Sequence, residues 1–151
     1  MRPTGDETPG PAGGEVGEVV CLVLDGRLVQ SVRRVATAPS AQQQLDELVA
    51  GPTPSERNRG LVTTLAGLAL TVRDQSGTGV TVEVAEPDDG NARSDEVLAY
   101  GQVVCTLTAR AEVNSVVFTR DGQQLQVPRA DGALVTEPLQ LRDFADLIGP
   151  A

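Results

Sequence analysis

Six apolar residues in succession, VVCLVL at 19–24, run into Asp25-Gly26 and out again through RLVQSVRRV at 27–35. Asp-Gly between two β-rich runs is the strongest short-range signal of a hairpin, because it suits a two-residue loop with positive φ at both positions. A strand with one wet face alternates polar and apolar residues, and 19–24 does not. This strand is therefore expected to lie inside a sheet with both faces covered. A chain of 151 residues has room to do this around a single core. At that size roughly 68–70% of the unfolded surface is buried, so neither a metal nor a dense set of disulfides is required.

Downstream the punctuation is equally local. Ser40-Ala41-Gln42-Gln43 is a capping box, and Ala41, Leu45, Leu48 and Val49 repeat at helical spacing until Gly51-Pro52 stops them. Thr53-Pro54-Ser55-Glu56 repeats the pattern with proline at the first helical position and predicts one short turn ending at Gly60. Residues 68–73 and 80–85 read as strands joined across 75–79, the second alternating Val80, Val82 and Val84 with Thr81 and Glu83. Ser94 is placed to cap a helix over 94–108 with Asp95 and Glu96 in its first turn and Val97, Gly101, Val104, Cys105 and Thr108 on its inner face. The β-branched pair Val103-Val104 leaves a strand open there. Residues 116–120, Asp121-Gly122 and 123–127 predict a second hairpin that echoes the first, by duplication or by reuse of a favoured turn. Leu141, Phe144, Leu147 and Ile148 before Gly149-Pro150 predict a short closing helix. Strands and helices neither alternate strictly nor segregate, so the expected fold class is α+β: a mixed sheet with two main helices packed on it. Residues 1–15 hold three prolines and several glycines without apolar periodicity and read as a flexible tether or a frayed end, leaving a domain at 16–149.

Composition narrows the function. The net charge is −9, and all 12 basic residues are arginine. Such a balance repels nucleic-acid backbones and anionic lipid, so neither is an expected partner. Arg33 with Arg34, and Arg57 near Arg59, are the local basic pairs; solvated surface arginines are the reading preferred over an anion site. Histidine is absent, which removes the commonest general base and metal ligand. Tyr100, Phe118 and Phe144 are the only aromatic residues, too few to furnish both a core and a stacking face for sugars. No apolar run is long enough to cross a bilayer, and no basic segment followed by an apolar one marks an export signal within the numbered chain. Cys21 follows Glu18-Val19-Val20 and so lacks the setting of a lipid-accepting cysteine.

No catalytic motif is present. Gly77-Thr78-Gly79 is a turn, not a phosphate cradle. Asp88, Asp89 and Asn91 beside Gly90 do not have EF-hand spacing and read as a solvated acidic loop. Glu47, Glu56, Glu83 and Glu112 are expected singly on the surface, so no acid/base pair is assigned. No catalytic residue, metal site or cofactor is expected.

Four stretches, VCLVLDGRLVQSVRRV, LDELVAGPTPSERNRGLVTTL, VTVEV and YGQVVCTLTARAEVNSVVFTRDG, resemble the GerMN domain of spore-germination, sporulation and cell-envelope lipoproteins of Gram-positive bacteria. The resemblance spans 19 to about 146 and is most specific at 51–61 and 102–108. It implies a fold similar to ring-building motifs and a non-enzymatic domain. The implied location is extracytoplasmic, on the outer face of the cytoplasmic membrane, through an N-terminal lipid anchor upstream of Met1. Implied partners are envelope proteins or a weak homo-oligomer, with a cell-wall (peptidoglycan) binding module as the alternative. Cys21 and Cys105 stand where the family usually carries an aromatic residue, a joint replacement easier to understand if the two side chains face one another. Two states stay open, a disulfide that closes a loop worth roughly 4 kcal/mol in the chain-entropy model, and two free buried thiols acting as small hydrophobes.

Overall fold

The computed structural model describes residues 16–85 and 96–149. The expected tether at 1–15, the acidic loop with Asp88, Asp89, Gly90 and Asn91, and the Ser94 cap lie outside the described residues. The chain runs β1 (Val16–Leu24), β2 (Arg27–Val35), α1 (Ala41–Ala50), α2 (Pro54–Asn58), β3 (Ala69–Ser76) and β4 (Gly79–Ala85). It continues through α3 (Glu96–Thr108), β5 (Ser115–Arg120), β6 (Gln123–Gln124), β7 (Val127–Pro128) and β8 (Leu134–Val135), and closes on a 3-10 segment, Leu141–Leu147. The fold is α+β, with mixed pairing and helices packed on the sheets.

The first hairpin forms as the turn chemistry demands. Asp25 and Gly26 have φ of 53° and 75°, and the loop pairs Leu24 with Arg27 and every residue back to Val16 with Val35. Val20, Cys21, Leu22 and Val23 are all buried, so both faces of β1 are covered. The hairpin is nevertheless a separate two-stranded sheet, not part of the larger one. What stands on the other edge of β1 is mostly side chains. The Cys21 N–H donates to Thr106 Oγ1 at 2.9 Å, and its carbonyl accepts from Gln102 Nε2 at 3.0 Å. Gln44 Nε2 donates to the Val19 carbonyl at 3.2 Å, while Val23 and Val62 exchange both backbone bonds.

The second sheet has the order β3-β4-β5-β6, antiparallel at both ends and parallel between β4 and β5, where Gly79–Glu83 run beside Ser115–Thr119. The β3/β4 loop is only Gly77-Thr78, shorter than the expected five residues, and a bulge lies between Val72 and Asp74. The second Asp-Gly turn also forms, but its hairpin is short: Thr119 and Arg120 pair with Gln124 and Gln123, and the Leu125 N–H adds one bond to the Phe118 carbonyl. Beyond it Val127 turns into the core and Pro128 has no N–H to extend a ladder, so 127–128 pairs with β8 instead. The echo of the first hairpin therefore extends to the turn and not to the strands.

Helix α3 replaces the expected single inner face with near-complete burial. Every residue from Ala99 to Leu107 is buried, whereas Val97 and Thr108 at its ends are only half-buried. Such a helix sits inside the fold. It packs on β1, β2, α1, β5, β7 and the closing 3-10 segment, and burial outweighs the weak helix propensity of Val103-Val104. Gly101 permits this closeness: a Cβ there would lie 2.9 Å from Leu28 Cδ1 and 3.2 Å from Phe144 Cδ1. Tyr100 meets Phe118 edge-on, ring centroids 4.9 Å apart, so all three aromatic residues belong to the core.

Gln102, fully buried, is the polar centre of α3. Its Oε1 accepts from Thr64 N at 2.8 Å and Thr64 Oγ1 at 2.7 Å, and its Nε2 also reaches Thr63 Oγ1, which in turn donates to the Leu48 carbonyl. One amide thus joins α3, β1 and the 61–65 segment. Replacing it by the similarly shaped methionine strips the Cys21 carbonyl of its donor and removes the acceptor of the Thr64 N–H. Gln102→Met is expected to lower stability by about 2–3 kcal/mol, read as a lower urea midpoint at unchanged slope.

Candidate functional site

The disulfide candidates are brought together. Cys21 lies at the middle of β1 and Cys105 on α3, with Cα atoms 5.9 Å apart and the sulfurs joined. The sequence separation is 84. The bridge sits beside the Gln102 and Thr106 contacts to the same residue, so backbone and side chain of Cys21 are held by neighbouring positions of one helix.

A second polar site lies where β2 meets α1 and α2. Glu56, expected singly on the surface, is buried. The capping box of α2 places it: Thr53 Oγ1 accepts from Glu56 N at 3.2 Å, and Glu56 Oε1 accepts from Thr53 N at 2.9 Å. The same carboxylate accepts from Arg33 Nε at 3.0 Å and Arg33 Nη2 at 2.7 Å, a forked pair, and from Ser31 Oγ at 2.7 Å. Arg33 Nη1 then reaches Glu47 on α1 at 3.2 Å. Arg33 is therefore a half-buried junction and not a solvated surface arginine, whereas Arg34, Arg57 and Arg59 are exposed. Glu47 and Glu56 converge instead of standing apart.

Glu18 completes the group. It pairs directly across the hairpin with Arg33, is itself buried, and takes one hydrogen bond, from Gln44 Nε2 at 3.3 Å; its other oxygen has no donor with the carboxylates ionised. Burial pushes the Glu47 carboxyl up to about 7, and the neighbouring Glu18 carboxylate pushes the same way against the pull of Arg33. Only when protonated does the Glu47 carboxyl carry a proton that it could donate towards Glu18. Burial alone would raise Glu56 too, but its bonds from Arg33, Ser31 and Thr53 outweigh that and hold it at about 2. Arg33 is raised above its ordinary value by its bond to Glu56.

The remaining predicted carboxylates have local roles. Glu83 accepts from Thr119 Oγ1 at 2.6 Å and from the backbone N–H groups of Asp121 and Gly122, clasping the second turn. Glu112 pairs with Arg110 at 2.7 Å. Among the described residues no group of three His, Cys, Asp or Glu side chains is placed to hold a metal ion. A depression of about 480 Å³ lies over the Arg33 junction, lined by Ser31, Arg34, Glu47, Ser55 and Arg59 among others. A signal for the junction existed in the sequence. The two-residue loop sets the register that opposes Glu18 to Arg33, and the second capping box turns Glu56 inward.

What the fold and these sites define is a small α+β domain whose buried charged groups are engaged in joining its own elements. A family model described as Germane, sporulation and spore germination, matches residues 11–126, and the chain belongs to that family. Its fold is similar to the tandem GerMN domains of the sporulation protein GerM from Bacillus subtilis (TM-score 0.67, 20% identity), covering 85% of this chain and 47% of that one. This chain thus spans about half of that tandem. The first GerMN domain alone gives TM-score 0.67 at 21% identity over 84% of this chain and 98% of that one. A chain from Clostridium perfringens described as a "Putative Lipoprotein" is similar at TM-score 0.53 and 13% identity, over 89% of this chain and 93% of that one. At these identities the likeness is one of fold. No curated protein sequence matches this one.

The two carboxyl shifts have opposite consequences with pH. Glu56 lies below the ordinary 4.5, so its contribution is present above about 4.5 and is lost as pH falls towards 2. Glu47 lies above 4.5, so its contribution is full below about 4.5 and is lost as pH rises through 7. Urea midpoints of the parent chain are expected to fall from pH 5 to pH 8 relative to those of Glu47→Gln. Glu56→Gln leaves Arg33 short of its main partner and is expected to cost about 3 kcal/mol at neutral pH. For the cysteines, titration of the denatured, unreduced protein is expected to find no reactive thiol; two per chain would mean that the bridge does not form.

Proposed function

We propose that this is a non-catalytic extracytoplasmic interaction domain of the bacterial cell envelope, of the sporulation and germination type, held to the outer face of the cytoplasmic membrane by an N-terminal lipid anchor. The observation that carries the reading is the Cys21–Cys105 bridge between β1 and α3. Disulfides persist in oxidising compartments and are rare in the cytosol. Family membership and the fold shared with a chain described as a lipoprotein support the same location. Among the described residues no helix is long and apolar enough to cross a membrane.

Protein partners are favoured over wall polymer. Sugar-binding faces use flat rings as stacking platforms, and Tyr100, Phe118 and Phe144 are all enclosed in the core. The buried carboxylates point to no reaction, since each is held by groups of its own domain.

Cross-linking in cells, followed by fractionation and by incubation of the purified domain with isolated sacculi, tests the reading. Recovery in the membrane fraction with specific envelope proteins attached, and no retention by sacculi, is the expected outcome. Retention by purified wall with no cross-linked protein would favour the polymer, and a cytosolic location would remove the proposal.

A further inference from the structure

A sheet edge presents a row of backbone donors and acceptors, and natural sheets cover or interrupt it. The described residues do so at most of their edges. The outer edge of β1 is closed by Gln44, Gln102, Thr106 and Val62. On β3, Gln42 from α1 acts as a one-residue strand: its Oε1 accepts from Val72 N at 2.8 Å and its Nε2 donates to the Leu70 carbonyl at 2.9 Å, just before the bulge. Strand β6 is only two residues long.

The outer edge of β2 differs. With a two-residue loop, Leu24 and Arg27 form the first hydrogen-bonded pair, and alternate residues face across from there. The register then aims the backbone of Val29, Ser31 and Arg33 at β1 and that of Leu28, Gln30, Val32 and Arg34 outward. The Leu28 carbonyl accepts from Gly149 N at 2.8 Å. Gln30, Val32 and Arg34 have no backbone partner among the described residues, and all three are exposed, Val32 by 67%. No proline or bulge interrupts this stretch.

We propose that the 30–34 edge of β2 pairs antiparallel with the same edge of a second copy, across a twofold axis at Val32. The sequence of the edge is self-complementary in that register. Val32 meets Val32, Gln30 meets Arg34 and Ser31 meets Arg33, so no arginine stands directly opposite another. A twofold contact is closed, and it ends at a dimer. Opposing it, each chain carries a net charge of −9, so association is weak at low salt and tightens as salt screens the repulsion. The inference takes its biological meaning from the reading of the chain as an interaction domain, but its test is separate from the cellular location.

Sedimentation of the full chain from micromolar to millimolar concentration, at low and high salt, is expected to show a monomer–dimer equilibrium that strengthens with salt. Val32→Pro removes an N–H that faces away from β1, so the hairpin ladder stays whole while pairing with the second copy is blocked. Val32→Arg keeps the backbone and sets like charges at the axis. Each variant is expected to raise the dimer dissociation constant about tenfold or more, with the melting temperature of Val32→Arg little changed. A chain that stays monomeric throughout would overturn the proposal, as would a dimer that Val32→Arg does not weaken. Fractionation in cells reads the envelope location independently of either outcome.

Discussion

The structure depends on how a strand edge is satisfied where water cannot reach it. Cys21 is buried in β1 with its N–H and C=O turned away from β2, and an unpaired backbone group in that setting costs about 1–3 kcal/mol. A strand would ordinarily supply the partners. Here α3 does, through the Thr106 hydroxyl and the Gln102 amide. Because these side chains must meet one residue, the height and rotation of the helix along β1 follow. The close approach of Gly101 to Leu28 and Phe144 follows in turn.

Two polar devices divide the work by chemistry. Around Cys21 the partners are neutral amide and hydroxyl groups, whose bonds do not change with pH in the range where proteins fold. Around Arg33 the partners are carboxylates, two of which share a crowded site. The neutral device is placed deep, where an unbalanced charge would be costly, and the charged one towards the rim, where arginine remains half-buried.

Much of the fold was legible because it is written in local signals. Asp25-Gly26, Ser40 with Gln43, and Thr53 with Glu56 each determine a turn or cap through atoms a few residues apart, and all three form. At Asp121-Gly122 the apolar pattern predicts a longer second strand than forms, because Val127 answers to the core and Pro128 to its missing donor. The inner face of α3 is wider than its pattern predicts: periodicity finds one stripe, and a helix enclosed on several sides has none. The junction at Arg33 is hidden from local pattern because Glu47 and Glu56 stand 14 and 23 residues from Arg33, and only the hairpin register and the second cap, taken together, bring them to one place with Glu18.

The amide of Gln42 joins α1 to the edge of β3 in a way that links local opening to solubility. While α1 is docked, Leu70 and Val72 see a side chain shaped like one residue of a neighbouring strand. In any partly open species in which α1 has lifted away, those groups become a template for another molecule, next to Leu70 and Val72 side chains that the core normally shelters. Glu47 and Gln42 stand on the same helix, so its contact with Arg33 and the cover over β3 belong to one docked element. Hydrogen-exchange rates at Val72 would therefore report on the docking of α1 as well as on the sheet that it covers.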